Sequence, residues 1–399
     1  MKILSITAQK VDSTGSGVFL TELTKGFEKL GHQQAVVCGT TEDSIIHLPE
    51  SVALFPVVYN TRSLPFPICG MSDEMPYQST RYRDLTEEMT RQLYEAFRGK
   101  LTEAVSAFQP DVILCHHLYF LAALVREMFP NIPVYGQCHG SDLRQIRKNS
   151  WQRKEIIRNI RNLDGIFALH HQQKEDIAEF FGIPEDKIAV LGTGYNSHVF
   201  YRDDAIRKSR TDNRTRLIFA GKLSEKKGLY SLLRAMRLLP KPEQYHLILA
   251  GGYGNAEEYA QICRLAETAP CAVTFPGKLT HPELAAEMNR CDAFILPSFF
   301  EGLPLVLIEA MACGLKTICT DLPGIQPWLD RSLPGSGTIF VKPPRMYHED
   351  EPYPEDLPGF ERRLARAIES LPNRHTADLE QVHRLSWDAL CEGYCARWN

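Results

Sequence analysis

Two glutamates, Glu301 and Glu309, stand eight positions apart in the segment PSFFEGLPLVLIEAMACG (297–314). The run AFILPS (293–298) reads as a strand, Glu301-Gly302-Leu303 as the loop after it, and Pro304 as a residue that suits a first helical turn. Leu305, Ile308 and Ala312 follow at helical spacing, and Gly314 supplies a stop. One carboxylate therefore precedes a helix and the other lies inside it, about 12 Å away at most at helical rise. Unpaired N–H groups at such a helix start attract phosphate. A diphosphate held there would leave one carboxylate near each of its ends, able to accept hydrogen bonds from hydroxyl groups. Hexose, diphosphate and ribose in that order make a nucleotide sugar. On spacing alone, a loop charge and a solvated helix residue account for the two glutamates equally well.

A second group of residues fits the same ligand. FAGKLSEKKG (219–228) places Lys222 and Lys227 on either side of a turn after another strand-like run. Two preorganised ammonium groups there can stabilise a departing diphosphate without a metal ion; a solvated lysine loop is the ordinary alternative. No DxD motif occurs in the chain, so no carboxylate pair is evident for Mg²⁺ or Mn²⁺ between phosphates. The expected cofactor set is empty, with no metal site.

The elements that must carry these residues alternate in type. KILSIT (2–7), QAVVCG (34–39), VALFPV (52–57), DVILCHH (111–117), VYGQCH (134–139), GIFALH (165–170) and IAVLGTG (188–194) are nearly continuous apolar runs, as strands covered on both faces are. Between them lie amphipathic patterns such as Leu20, Leu23, Phe27 and Leu30, with Gly31 as a stop. RDDAIRKSRTDNR (202–214) marks a linker. A second series follows: RLIFAGKL (216–223), YHLILAGG (245–252), AVTFPGKL (272–279), AFILPS (293–298), TICTDL (317–322) and TIFVK (338–342). The acidic stretch HEDEPYPED (348–356) reads as an exposed loop. Alternating β and α predicts an α/β fold of two Rossmann-like, doubly wound parallel-sheet domains facing a central cleft, with ligands beyond the carboxyl ends of the strands.

Composition narrows the class of partner. A length of 399 residues suits two or three domains. The 45 Lys and Arg against 49 Asp and Glu leave a formal charge of −4, which argues against a nucleic-acid surface. With 44% hydrophobic and 24% charged residues, disorder is excluded. The 11 cysteines are odd in number and show no CxxC or zinc-type spacing, as reduced cytosolic thiols would. The N-terminal MKILSITAQKVDS has too short an apolar stretch for a signal segment, and no apolar run approaches roughly 18 residues. A soluble, cytoplasmic protein is expected.

In this order and spacing, GSGVFLTELTKGFEKLGH (15–32), QCHGSDL (137–143), LGTGYNSHVF (191–200), FAGKLSEKKGLYSLLRA (219–235), the 301–314 block and SWDALCEGY (386–394) resemble the retaining glycosyltransferases of family 4, which are glycogen-synthase-like enzymes of the GT-B fold. The resemblance implies a sugar transferred from a UDP- or GDP-sugar to an acceptor hydroxyl, with retention and without a metal. It implies domains at 1–202 (acceptor) and 203–375 (donor), with a final helix, 376–399, packed back on the first. It assigns Glu301 to the donor sugar near its reacting carbon, and the amides of Gly302, Leu303 and Leu305 to sugar and phosphate. Glu309 takes the ribose, Lys222 and Lys227 the diphosphate, and Gly277, Lys278 and Leu279 the base. Gly15 and Gly17 match a glycine-rich first loop, although Ser16 interrupts the usual glycine pair. His139 matches the active-site histidine, with Asp142 as a companion. Pro304 replaces a common glycine and removes one N–H.

Acceptor contacts are expected from two segments of the first half. LPFPICGMSDEMPYQSTRY (64–82) offers Met71, Tyr77, Ser79, Thr80 and Arg81. RQIRKNSWQRKEIIRNIR (144–161) carries seven basic residues, of which Arg144 and Arg147 lie closest in sequence to His139. Such an excess suits an anionic acceptor or peripheral contact with the inner membrane face, or is simply a solvated helix face. A sugar-nucleotide epimerase and a non-catalytic nucleotide-sugar-binding subunit remain as rival readings of the same residues. Oligomeric state is not written in the sequence.

Overall fold

The structure is a computed structural model that describes residues 1–398 except 12, 74, 210, 211 and 349. Residue 74 of the acceptor loop, 210 and 211 of the linker and 349 of the acidic stretch therefore lie outside the described residues. The chain divides into unit 1, Met1–Thr193 with Trp387–Asn399, and unit 2, Gly194–Ser386.

Along unit 1 run β1 (Lys2–Ile6), α1 (Gly15–Lys29), β2 (Gln33–Thr40), β3 (Ala53–Val58), β4 (Cys69–Gly70), β5 (Thr80–Arg81), α2 (Glu87–Phe108), β6 (Val112–His116), α3 (Phe120–Met128), β7 (Val134–Gln137), α4 (Ser141–Lys148), α5 (Arg153–Ile160), β8 (Gly165–Ala168), α6 (His171–Phe181) and β9 (Ile188–Val190). Seven of these strands form one parallel sheet in the order β3-β2-β1-β6-β7-β8-β9. All five residues of β6 are buried. Because neighbouring side chains point to opposite faces, both faces of the sheet must be covered there.

Unit 2 contains α7 (Asp204–Lys208), β10 (Thr215–Ala220), α8 (Leu229–Met236), β11 (Tyr245–Ala250), α9 (Ala256–Glu267), β12 (Ala272–Gly277), α10 (His281–Asn289), β13 (Ala293–Leu296), α11 (Leu305–Ala312), β14 (Lys316–Thr320), α12 (Ile325–Ser332), β15 (Ile339–Val341), β16 (Met346–His348), β17 (Glu351–Pro352), α13 (Leu357–Ser370) and α14 (Leu379–His383). Its parallel sheet runs β12-β11-β10-β13-β14-β15. This is the doubly wound order in which strand sequence reverses at the centre, between β10 and β13. The predicted strand runs all appear in the two sheets, and two Rossmann-like domains result.

The borders differ from those expected at 202/203 and 375/376. Residues 194–203 are tied into unit 2 through Tyr195 N–H to Leu385 O at 3.2 Å, Asn289 Nδ2 to Tyr201 O at 2.9 Å, and Asp203 N–H to Asn289 Oδ1 at 2.8 Å. The charged composition of 202–214 reflects, over its described residues, a mostly exposed surface that includes α7, N-capped by Asp203, and not the border itself. The expected helix 376–399 is two helices. The first, α14, packs on α11 of unit 2, and α15 (Trp387–Trp398) returns to α1 of unit 1. A Cβ at Gly26 of α1 would collide with the Cys391 sulfur, so glycine lets the two helices approach closely. Phe19 meets Trp387 edge-on at 4.9 Å, and Phe27 meets Tyr394 at 6.1 Å. The acidic stretch is also not a plain loop: β16 and β17 pair as a hairpin, and Arg345 closes its base on Asp356 at 2.7 Å.

Candidate active site

In unit 2 the loops after β10 and β13 flank the reversal point of the sheet, where ligands of open α/β sheets bind. They are locked together. Lys226 O accepts from Phe299 N–H at 3.0 Å. Gly228 turns the chain with φ +72°, and a Cβ there would run into the Pro297 carbonyl. The consequence is a contact between two of the expected site residues: Lys227 Nζ lies 2.6 Å from Glu301 Oε1, with the side chains only 29% and 14% exposed. The adjacent Lys226 turns the other way, to Asp350 of the hairpin at 3.0 Å. Lys222 is exposed and lays its terminal atoms against Gly254, in the loop after β11. The structure thus joins Lys227 to Glu301 and keeps Lys222 at the neighbouring strand end.

Gly228 carries a prediction. Gly228→Ala should lower the stability of unit 2 by at least about 1–2 kcal/mol, since alanine pays for the left-handed backbone and also for the clash. A urea unfolding midpoint identical to the parent's would contradict this packing.

Helix α11 begins one residue later than expected. Pro304 is its N-cap, and among the described residues no side chain caps the first turn. The amides of Leu305 and Val306 have no acceptor inside a helix, so they form the phosphate-attracting end. At the other end Gly314 takes φ +76°, with its N–H on Met311 O at 2.9 Å and Leu315 N–H on Ala310 O at 3.1 Å, closing a Schellman motif. Glu309 is buried at 9% exposure, not a solvated helix residue. Burial first, and then the Glu309 charge, push the Cys313 thiol up to about 12. Leu303 is buried and Gly302 half-buried beside Glu301. Gly277 ends β12 with φ +79°, and its carbonyl accepts from Gly251 N–H at 2.8 Å; Lys278 next to it is exposed and Leu279 half-buried.

In unit 1 the sheet reverses between β1 and β6, and imidazoles gather at the ends of β6 and its neighbour β7. His139 follows β7, while His116 ends β6 and His117 comes directly after it. His116 Nδ1 lies 3.1 Å from His139 Nε2 with the rings inclined by only 15°. The His117 ring centroid is 4.7 Å from that of His139, and Phe19 meets His139 edge-on at 5.1 Å. His117 has φ +74° and is buried with, among the described residues, no hydrogen bond at either ring nitrogen, a combination that costs free energy. Burial, aided by neighbouring imidazoles, holds His139 well below the ordinary 6.5 and brings His116 down to about 3. Residues 116 and 117 were not singled out from the sequence; consecutive histidines at the end of an apolar run were the available signal.

A pH effect follows, with its sign. Above pH 6.5 these histidines are neutral in the folded and unfolded chain alike. Below it the unfolded chain takes up protons that the fold excludes, so stability falls from about pH 6.5 down to the folded value, about 3 for His116. At pH 5 one such histidine costs about 2 kcal/mol. The loss of urea stability between pH 7 and pH 5 should be smaller in His116→Asn than in the parent; equal losses would contradict the assignment.

Gly15 and Gly17 lie in the first turn of α1, not in a loop. Gly17 is required by the backbone of Lys10 and Val11, 2.8 Å from where its Cβ would stand, whereas Gly15 is open. Asp142 is fully buried, and its carboxylate accepts from Leu118 N–H at 2.8 Å and His139 N–H at 3.2 Å. It clamps the ends of β6 and β7 and is not an acceptor contact, because no oxygen of it reaches the surface. Arg144 donates to Ser72 at 3.1 Å, and Arg147 lies over Phe180 at 5.9 Å with Asp176 at 3.9 Å. Thr80 donates to Pro67 O at 2.8 Å, Arg81 pairs with Asp84 at 2.6 Å, and Lys10 stands over the Tyr77 ring at 5.5 Å. Ser79 is half-buried, beside Gly70. Among the described residues no group of three or more His, Cys, Asp or Glu side chains converges as a metal site, and no helix is long and apolar enough to cross a membrane.

Two Rossmann-like units, one with a lysine–glutamate pair in front of an uncapped helix at its reversal point, define the GT-B class of glycosyltransferase fold. Solved structures agree with it. The chain is similar over its full length to sucrose-phosphate synthase from Thermosynechococcus elongatus (TM-score 0.69, 16% identity, 98% of that chain). It is likewise similar to Anabaena HepE in complex with UDP (TM-score 0.65, 17% identity, 100% of this chain and 99% of that chain). Residues 13–199 match the sequence profile of Glycosyltransferase Family 4 and residues 202–335 that of Glycosyl transferases group 1. The chain belongs to glycosyltransferase family 4. Among curated relatives, glycogen synthase of Mycobacterium tuberculosis is 25% identical over 228 residues, 55% of this chain and 54% of that protein; the chain thus matches about half the length of such relatives.

Proposed function

We propose that this chain is a retaining, metal-independent glycosyltransferase that moves a sugar from a UDP- or GDP-sugar to an acceptor hydroxyl in the synthesis of a glycan or glycoconjugate. The observation that carries the reading is the Lys227–Glu301 contact at the reversal point of the unit 2 sheet, ahead of the free amides of α11. Lys227 and Lys222 take the diphosphate together with the helix start. Glu301 then turns to sugar hydroxyls near the reacting carbon and the buried Glu309 to the ribose, while Gly302, Leu303 and Leu305 line sugar and phosphate and Gly277, Lys278 and Leu279 the base. Acceptor recognition and His139 belong to unit 1. The UDP complex of HepE supports a nucleoside diphosphate as ligand class.

In this reaction the bond from the anomeric carbon to the β-phosphate oxygen breaks as the acceptor oxygen bonds to the same face. The leaving phosphate accepts the hydroxyl proton, and lysine charge offsets the negative charge that grows on it. Activity should therefore persist in excess EDTA. The deciding experiment incubates the protein with a panel of nucleotide sugars, with and without cell-extract acceptors. Release of nucleoside diphosphate with a glycosylated product of retained configuration is expected. An isomerised donor would make the protein an epimerase, and an unchanged panel would leave it a non-catalytic binding subunit.

A further inference from the structure

The pair formed by His116 and His139 has a consequence for the face that His139 turns to a ligand. The two rings are nearly coplanar, and the nitrogens that meet are unlike: Nδ1 of His116 and Nε2 of His139, 3.1 Å apart. Both rings are neutral where they sit, because burial penalises their charged forms. Two lone pairs would repel and two N–H groups would clash, so one proton lies between them. If His116 carries it on Nδ1, His139 must hold its own proton on Nδ1. If His139 carries it on Nε2, His116 must hold its own on Nε2. The two rings therefore share one tautomer.

The far nitrogen of His116 makes that tautomer difficult to reverse. Among the described residues its buried Nε2 has no hydrogen-bond partner, so none of them supplies or removes a proton there. Asp142, the carboxylate nearest in the loop, is spent on the amides of Leu118 and His139. Phe19 closes the site edge-on against both rings, at 5.1 Å from His139 and 6.2 Å from His116. His117, at 4.7 Å from His139, offers no hydrogen bond to either ring.

We infer that His116 is a positioning residue that locks the ring and the tautomer of His139, so that His139 meets its ligand through Nδ1 as a fixed hydrogen-bonding group and exchanges no proton with it. The inference rests on His139 being a substrate contact, as in the proposed reaction. It makes His116 a determinant of turnover although His116 itself touches no substrate.

The test begins with the unmodified protein. Long-range ¹⁵N–¹H correlation spectra of ¹⁵N-histidine-labelled chain at pH 7.5, assigned with His116→Asn and His139→Asn, report which nitrogen of each ring is protonated. The expected result is one neutral tautomer, the same for His116 and His139, unchanged when UDP or GDP is added. Opposite tautomers, a charged ring or a rapidly exchanging mixture would overturn the proposal. Kinetics give the second readout. His116→Phe, which keeps the bulk but removes the nitrogens, should lower kcat roughly 10- to 100-fold with KM for the donor nearly unchanged, and His116→Asn, whose amide reaches the same place, should recover part of the loss. Full kcat in a folded His116→Phe protein would overturn it. If the tautomers are as expected but His139→Asn turns over normally, the reading of His139 as a substrate contact fails and the coupling of the rings stands.

Discussion

Glu301→Gln should bind nucleoside diphosphate more tightly than the parent while turning over far more slowly. Glu301 holds Lys227 at 2.6 Å, and the pair is part-buried, where charge interactions are screened less than at the surface. A diphosphate that claims Lys227 must displace that carboxylate and then sit beside its negative charge. Glutamine removes both penalties and keeps the shape. An affinity gain of about 1 kcal/mol, roughly fivefold in Kd, is the expected size for one screened charge. Turnover should drop roughly 100-fold or more, because the glutamine no longer accepts strong hydrogen bonds where the sugar develops positive charge. Calorimetry with UDP and GDP and initial rates with the matching nucleotide sugar measure the two effects. Weaker diphosphate binding in Glu301→Gln would mean that the carboxylate supports the site and does not compete for Lys227.

Removal of both lysine charges should have the opposite effect on affinity. The Lys222→Ala, Lys227→Ala double variant is expected to lose about 2–4 kcal/mol of diphosphate binding, roughly 30- to 1,000-fold in Kd. The two residues should not contribute equally. Lys227 is 29% exposed and held by the turn ending at Gly228, whereas Lys222 is exposed, with its terminal atoms beside Gly254. Lys227→Ala alone should therefore account for most of the loss. Lys226→Ala serves as the control for mere local charge, because its ammonium is engaged by Asp350 at 3.0 Å. If Lys226→Ala weakened binding as much as Lys227→Ala, the turn would act as a diffuse positive patch and not as a built grip.

The sequence made the sheets legible because buried parallel strands leave long apolar runs, and each run reappears at a strand end that matters: AFILPS leads to Glu301, RLIFAGKL to Lys222, VYGQCH to His139. The pairing of β10 with β13 was not legible, since strand order is set by crossover connections and not by local pattern. It is this order that brings the loops of Lys227 and Glu301 together, 74 positions apart in the chain. Asp142 was misread for a related reason: a carboxylate three residues after a histidine looks like a companion in the site, but it accepts amides from two different strand ends. The hairpin at 346–352 hides in a composition rich in acid and proline, and its role as the partner of Lys226 depends on a contact across 124 positions. His116 and His117 lay inside a run read only for its apolar residues. Their coupling to His139 depends on the neighbouring registers of β6 and β7, where His116 stands opposite Gln137.

The place where a nucleoside diphosphate binds tests these roles most directly. A crystal structure of the protein with UDP or GDP should place the two phosphates within hydrogen-bonding distance of the Lys227 and Lys222 ammonium groups and of the amides at the start of α11, with Glu301 moved off Lys227 and the ribose beside Glu309. Phosphates found at any other strand end, with the Lys227–Glu301 contact still closed, would contradict them.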